Sequence, residues 1–190
     1  MVKKEAIKNE KSIPELLKAL KSKDDTERYG SFEVLLHLSQ EKPELLYPSW
    51  NFLAEVLDSD NAYRKLIAVR LLANLTLVDT ENRFEKIFDK YYNLLSDSVI
   101  VAGHITANSG RIARAKPKLK AEITNRLLNI DRTIQKHKDL IKAGAIDSFG
   151  EYFKESKDKE RIIEFVRQQL DCDSPKTRKK AKEFLRKWEN

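Results

Sequence analysis

Three polar residues stand 37 positions apart in the chain, and each interrupts a run of apolar neighbours: His37, Asn74 and Arg111. An imidazole, a carboxamide and a guanidinium held in register would make a row of hydrogen-bonding groups. Such a row can recognise a partner, or it can bond successive layers of the protein to one another. His104 and Asn108 fall on the same face as Arg111 at helical spacing and complete a candidate partner-binding stripe of five residues. Directly after the stripe comes a basic run, Arg114, Lys116, Lys118 and Lys120, extended by Arg126. Closely spaced cations of this kind can neutralise phosphates or an anionic protein surface.

Catalytic chemistry finds little support in the same residues. There is no glycine-rich phosphate loop, no GxSxG turn and no HExxH segment. Ser109-Gly110 comes nearest to a nucleophile turn, but it falls inside a helical stretch with no matching triad. Three His, one Cys and one Met leave little material for a transition-metal site. No enzymatic activity, cofactor or metal is therefore expected. Cys172 has no partner for an intramolecular disulfide, which fits a reducing compartment, and a cytoplasmic location is expected. The start, Met1-Val2-Lys3-Lys4-Glu5, is not followed by an apolar leader. The longest apolar stretch, 66–78, is broken by Arg70 and Asn74, so no membrane span is expected.

Lys and Arg outnumber Asp and Glu by seven, yet the excess is unevenly placed. Residues 1–12 carry +2, 13–110 carry −4, 111–142 carry +7, 143–175 carry −3 and 176–190 carry +5. The last stretch contains Lys176, Arg178, Lys179, Lys180, Lys182, Arg186 and Lys187, which reads as the solvated cap of a terminal element or as a second anion-binding block. The aromatic residues are spaced as core residues and are not interleaved with the basic blocks, which weighs against a stacking platform for single strands.

The elements that must hold these side chains are helices. Gly and Pro together number ten, where average usage would give roughly 23, too few for the turns of a β-rich fold. Apolar periodicity predicts ten helices: 14–20, 27–40, 43–57, 61–76, 81–95, 99–115, 117–130, 138–155, 158–170 and 175–188. Similar helix-ending segments recur at Leu20, Leu57, Leu95, Leu128 and Leu170, at intervals of 37, 38, 33 and 42 residues. Ala68, Ala73, Ala102, Gly103, Ala107 and Gly110 would let inner helices approach closely, and for the two glycines a reason in packing, or else in the approach of a partner, is expected.

Pairs of helices repeating at about this interval resemble HEAT repeats of the armadillo-like α-solenoid group. The last unit carries the resemblance best, through Asp173, Pro175, Arg178, Ala181 and Leu185, and the second more loosely, through Asp60, Arg64, Ala68 and Leu72. The third lacks the Arg, and the fourth is lengthened around 131–139. The resemblance implies an all-α, right-handed α-α superhelix of five helix pairs in a single domain over 1–190. The repeats fall roughly at 13–40, 43–77, 81–115, 117–155 and 158–188. It also implies a concave face lined by the second helices, where a scaffold would hold a peptide or partner domain. A protein partner and a monomeric state are expected. A nucleic-acid-binding protein using the 111–120 block is the alternative. HEAT-like alkylpurine glycosylases need a Trp on the inner helices, and HEAT di-iron hydroxylases need His-Glu pairs. Trp50 stands on a first helix, the inner helices carry no Trp before Trp188, and His37, His104 and His137 precede Leu, Ile and Lys, so neither chemistry is expected.

Overall fold

In the computed structural model, which describes residues 12–189, every regular element is helical. The +2 charge of residues 1–12 and the expectation made for the start of the chain lie outside the described residues, Ser12 apart. The chain divides into two compact units, one ending at Glu81 and the other beginning at Asn82.

In the first unit, Pro14 lies in the opening turn of α1 (Ile13–Ala19), where a missing N–H costs little. Asp24 caps α2 (Asp25–Glu41), accepting from the amides of Thr26 and Glu27 at 2.8 and 3.0 Å. This cap starts the helix two residues earlier than periodicity suggests. The stretch expected as one helix over 43–57 is instead α3 (Pro43–Leu46), a tight turn over Tyr47–Ser49, and α4 (Trp50–Val56). Pro48 explains the break, because it offers no N–H and its ring crowds the carbonyl four residues back. Asn61 caps α5 (Ala62–Leu75), accepting from Tyr63 and Arg64 at 2.9 and 3.1 Å. Nearly the whole circumference of α5 beyond its first turn is buried, as an inner helix requires. Helix α2 packs on α1, α3 and α5, and α4 packs on α5.

The second unit holds α6 (Arg83–Asn93), α7 (Val99–Ala115), α8 (Lys120–Leu128), α9 (Lys138–Tyr152), α10 (Lys159–Arg167) and α11 (Pro175–Trp188). Asn82 enters α6 with φ of 52°, a left-handed conformation that Asn tolerates better than most residues. Pro117 opens a tight turn, Pro117–Leu119, and not a helical turn of α8. Helix α9 packs between α7 and α11, while α8 touches α7, α9 and α10. Phe84, Phe88, Tyr91 and Tyr92 stack edge-on or tilted and are buried, as their core spacing suggested.

Side-chain bonds within each unit repeatedly join residues about one helix pair apart. Asn74 reaches Ser39, 35 residues away, and Arg126 reaches Asp89, 37 away. Lys120 reaches Glu155, 35 away, and Gln135 reaches the Asp97 carbonyl, 38 away. Thr177 reaches the Asp139 carbonyl, also 38 away. The interval seen in the sequence thus returns as a spatial one.

Candidate functional site

Helix α7 buries one side more deeply than the other. Val101, Ala102, Ile105, Ser109, Ile112 and Ala113 are buried, while His104, Asn108 and Arg111 on the other side stay half-buried. Asn108 donates from Nδ2 to the His104 carbonyl at 2.8 Å, which fixes the carboxamide along the helix. These three candidates are therefore brought together on one face. The other two belong to the first unit and differ from each other. His37 is exposed on α2, whereas Asn74 is 2% exposed and donates to Ser39 Oγ at 2.8 Å. In that position Asn74 bonds α5 to α2 and presents no surface for a partner, so of the two roles open to the row it fills the layer-bonding one. Ser109, the nearest approach to a nucleophile, is fully buried, donates to the Ile105 carbonyl at 2.8 Å and lies 3.1 Å from the Tyr92 hydroxyl.

What holds α7 in place is an unusually close contact with α9. The contact runs through the backbone of α7 around Gly110 and Thr106. The Gly110 amide donates to Ser148 Oγ at 2.8 Å, and Ser148 in turn donates to Thr106 O at 2.5 Å. A hydroxyl from α9 thus bonds directly to a backbone N–H and a backbone C=O of α7, which demands that the two helices pack closely. A Cβ at position 110 would lie 2.7 Å from Glu151 Cδ and 2.9 Å from Ser148 Cα. One at Gly144 would lie 2.5 Å from Thr106 Oγ1 and 2.9 Å from the Ala107 amide nitrogen. Gly110 thus has the packing reason expected of it. Gly103 does not, since a Cβ there would meet only Ile141 Cγ2 at 4.0 Å. Gly144 and Ser148 escaped the sequence reading. Their signal was a pair of small residues one helical turn apart on α9.

The basic block is largely spoken for. Lys116 is 6% exposed, with Glu85 Oε2 at 3.4 Å and Asn82 Oδ1 at 3.5 Å. Lys120 is bonded to Glu155 at 2.7 Å, and Arg126 is paired with Asp89. Arg114 is exposed, with its guanidinium 3.8 Å from Glu151. Lys118 is exposed. The hydrogen bond from Lys120, reinforced by its charge, holds Glu155 below its ordinary pKa. Partial burial raises that of Glu151, opposed by Arg114 and Arg111. Charges summed along the sequence could not show this neutralisation, because the partners lie about one helix pair away.

The arginines of the HEAT-like pattern act on loops. Arg178 donates to the carbonyls of Cys172 at 2.6 Å and Asp173 at 3.1 Å, and Arg64 donates to the Lys21 carbonyl at 3.0 Å. Lys142, 5% exposed, bridges Asp131 at 2.8 Å and Asp139 at 3.3 Å, and so ties the lengthened segment after α8 to α9. Among the described residues no cluster of three or more His, Cys, Asp or Glu could hold a metal ion, and no helix is long and apolar enough to cross a membrane. No known protein-family model matches the chain, and no curated protein matches it.

Proposed function

We propose that the chain is a HEAT-like α-solenoid scaffold without catalytic activity, which holds a partner peptide or protein domain on the face of α7 that carries His104, Asn108 and Arg111. The observation that carries this reading is the contrast between the two sides of α7. One side is pinned to α9 by the Ser148 hydroxyl and two glycine contacts, while the other leaves three hydrogen-bonding side chains half-exposed. Polar groups on a rigid element lose little conformational freedom when they bind, which favours specific recognition. Arg111 supplies a guanidinium suited to a carboxylate, and Asn108 and His104 can donate or accept.

Three features support the repeat architecture. Side-chain bonds recur at 35–38 residues. The second helices α7, α9 and α11 pack in series. Arg64 and Arg178 hold loops at helix-pair boundaries. In such an array each helix pair is stabilised mainly by its neighbours, and a continuous surface is left for binding. The ion pairs of Lys116, Lys120 and Arg126 weigh against the 111–120 block as a phosphate-binding surface.

Quantitative affinity capture from the native cell tests the assignment. Asn108→Arg and His104→Ala are expected to lose a partner that wild type and Lys86→Glu, an exposed change on α6, both retain. Equal recovery by all four proteins would contradict it.

A further inference from the structure

The second basic stretch behaves differently from the first. Helix α11 buries Thr177, Ala181, Phe184 and Leu185 and turns a broad lysine-rich face outward. Lys176, Lys179, Lys182 and Lys187 on that face are exposed, and none forms an ion pair with another described residue. Lys180 at its margin is bonded to Asp147 at 3.0 Å, and Glu183 is the single acid in the helix. At 1.5 Å per residue, Lys176 to Lys187 spans roughly 16 Å. That length matches about five phosphates of one strand at 3.4 Å each.

We propose that the exposed face of α11 binds the phosphate backbone of a nucleic acid. Charge complementarity selects this occupant. Four exposed ammonium groups outside any ion pair, three of them on free stems and the fourth, Lys187, over the Trp188 ring, suit an evenly spaced polyanion such as a phosphate backbone. A lipid surface is a poorer fit, because the apolar side chains of α11 point inward and none is left to insert among acyl chains. Even Trp188 is occupied: its ring lies against Phe153 and Phe184, 5.2 and 6.4 Å between centroids, with Lys187 and Lys154 over it at 4.5 and 5.8 Å. No base-reading group stands on the face, so binding is non-specific in sequence. It is also independent of the α7 face, which uses other residues.

Fluorescence anisotropy of a labelled duplex of roughly 20 base pairs, and of one of its strands, measures this directly. Four phosphate contacts predict a loss of roughly 100-fold in affinity between about 50 and 200 mM salt. The variant Lys176→Gln/Lys179→Gln/Lys182→Gln/Lys187→Gln alters only exposed side chains and is expected to keep its circular dichroism melt. It is expected to lose at least about tenfold in affinity at low salt, while Arg114→Gln/Lys118→Gln changes it by less than about twofold. Duplex and single strand serve as the two sources of the same phosphate chemistry, and retention of either supports the proposal. Three results would overturn it: no binding of either at low salt, a larger loss from the Arg114/Lys118 variant, or binding of phosphatidylserine vesicles that equals or exceeds binding of nucleic acid.

Discussion

Ser148 Oγ accepts a hydrogen bond from the Gly110 amide at 2.8 Å, so a side chain of α9 bonds directly to the backbone of α7. The same hydroxyl donates onward to the Thr106 carbonyl, leaving neither backbone group unsatisfied. This arrangement ties α7 to α9 within the second unit, and the partner-binding reading of α7 builds on that tie.

Removing the hydroxyl tests the arrangement. Ser148→Ala removes the hydroxyl that bonds both the Gly110 amide and the Thr106 carbonyl. A loss of about 1–3 kcal/mol in unfolding free energy is expected. Faster hydrogen exchange at the Gly110 amide than at other amides of α7 would localise the effect. Unchanged protection there would show that the Ser148 hydroxyl contributes nothing.

Glycine substitutions should separate by what surrounds them. Gly110→Ala sets a Cβ 2.9 Å from Ser148 Cα, where backbone must move, and overpacking is expected to cost about 1–3 kcal/mol. That outweighs the gain in helix propensity of about 1 kcal/mol. Gly144→Ala meets the Ala107 backbone and should behave alike. Gly150→Ala, on the same α9 with nothing within 4 Å of the new Cβ, should stabilise by roughly 0.5–1 kcal/mol. Denaturant titration of the three variants gives the ranking directly.

The buried pair of Lys116 and Glu85 yields a third expectation. Glu85 Oε2 has no hydrogen-bond partner and depends on the Lys116 charge 3.4 Å away. Lys116→Met leaves a partly buried carboxylate uncompensated, at a cost of about 3 kcal/mol. Lys116→Met/Glu85→Gln should recover most of this loss, because no unpaired charge remains. A double variant as unstable as the single one would mean that packing of the lysine stem, and not its charge, sets the cost.

Two glutamates predict opposite responses to pH. Burial raises the pKa of Glu151 above its ordinary 4.5, so the folded chain binds more protons than the unfolded one. Its contribution to stability is full below that value and falls as pH rises through the raised pKa. Glu155, lowered by Lys120, contributes above 4.5 and loses its contribution as pH falls through the lowered value. Carbon-detected NMR titration of the two carboxyls should place them on opposite sides of 4.5. Glu151→Gln should remove the decline of stability just above that pH, and Lys120→Ala should return Glu155 to its ordinary value.

The helices were legible because their ends carry strong local signals. Pro14, Pro43 and Pro175 stand in first turns, and Asp24, Asn61, Ser98 and Ser174 accept from the amides those turns leave free. The pair spacing was legible too, and it returns in bonds such as Asn74 to Ser39. Other features depend on the third dimension. Periodicity ran through Pro48 and opened a helix at Pro117, where backbone sterics impose a tighter turn at each proline. The 37-residue row could not say that Asn74 is buried. Segment charges made 111–120 look like a free cationic surface, although Glu85 and Glu155 fold back on it. Gly144 and Ser148 matter only because α7 lies against them, and that contact is invisible along a single helix.

The most direct measurement of the central claim is site-specific photo-crosslinking in the native cell, with the photoreactive residue placed at position 108 on the open face of α7 or at position 86 on α6. A defined protein partner labelled from 108 and not from 86, and lost on Arg111→Ala, is the predicted result. Labelling from both positions alike, or from neither, would contradict a partner-binding face on α7.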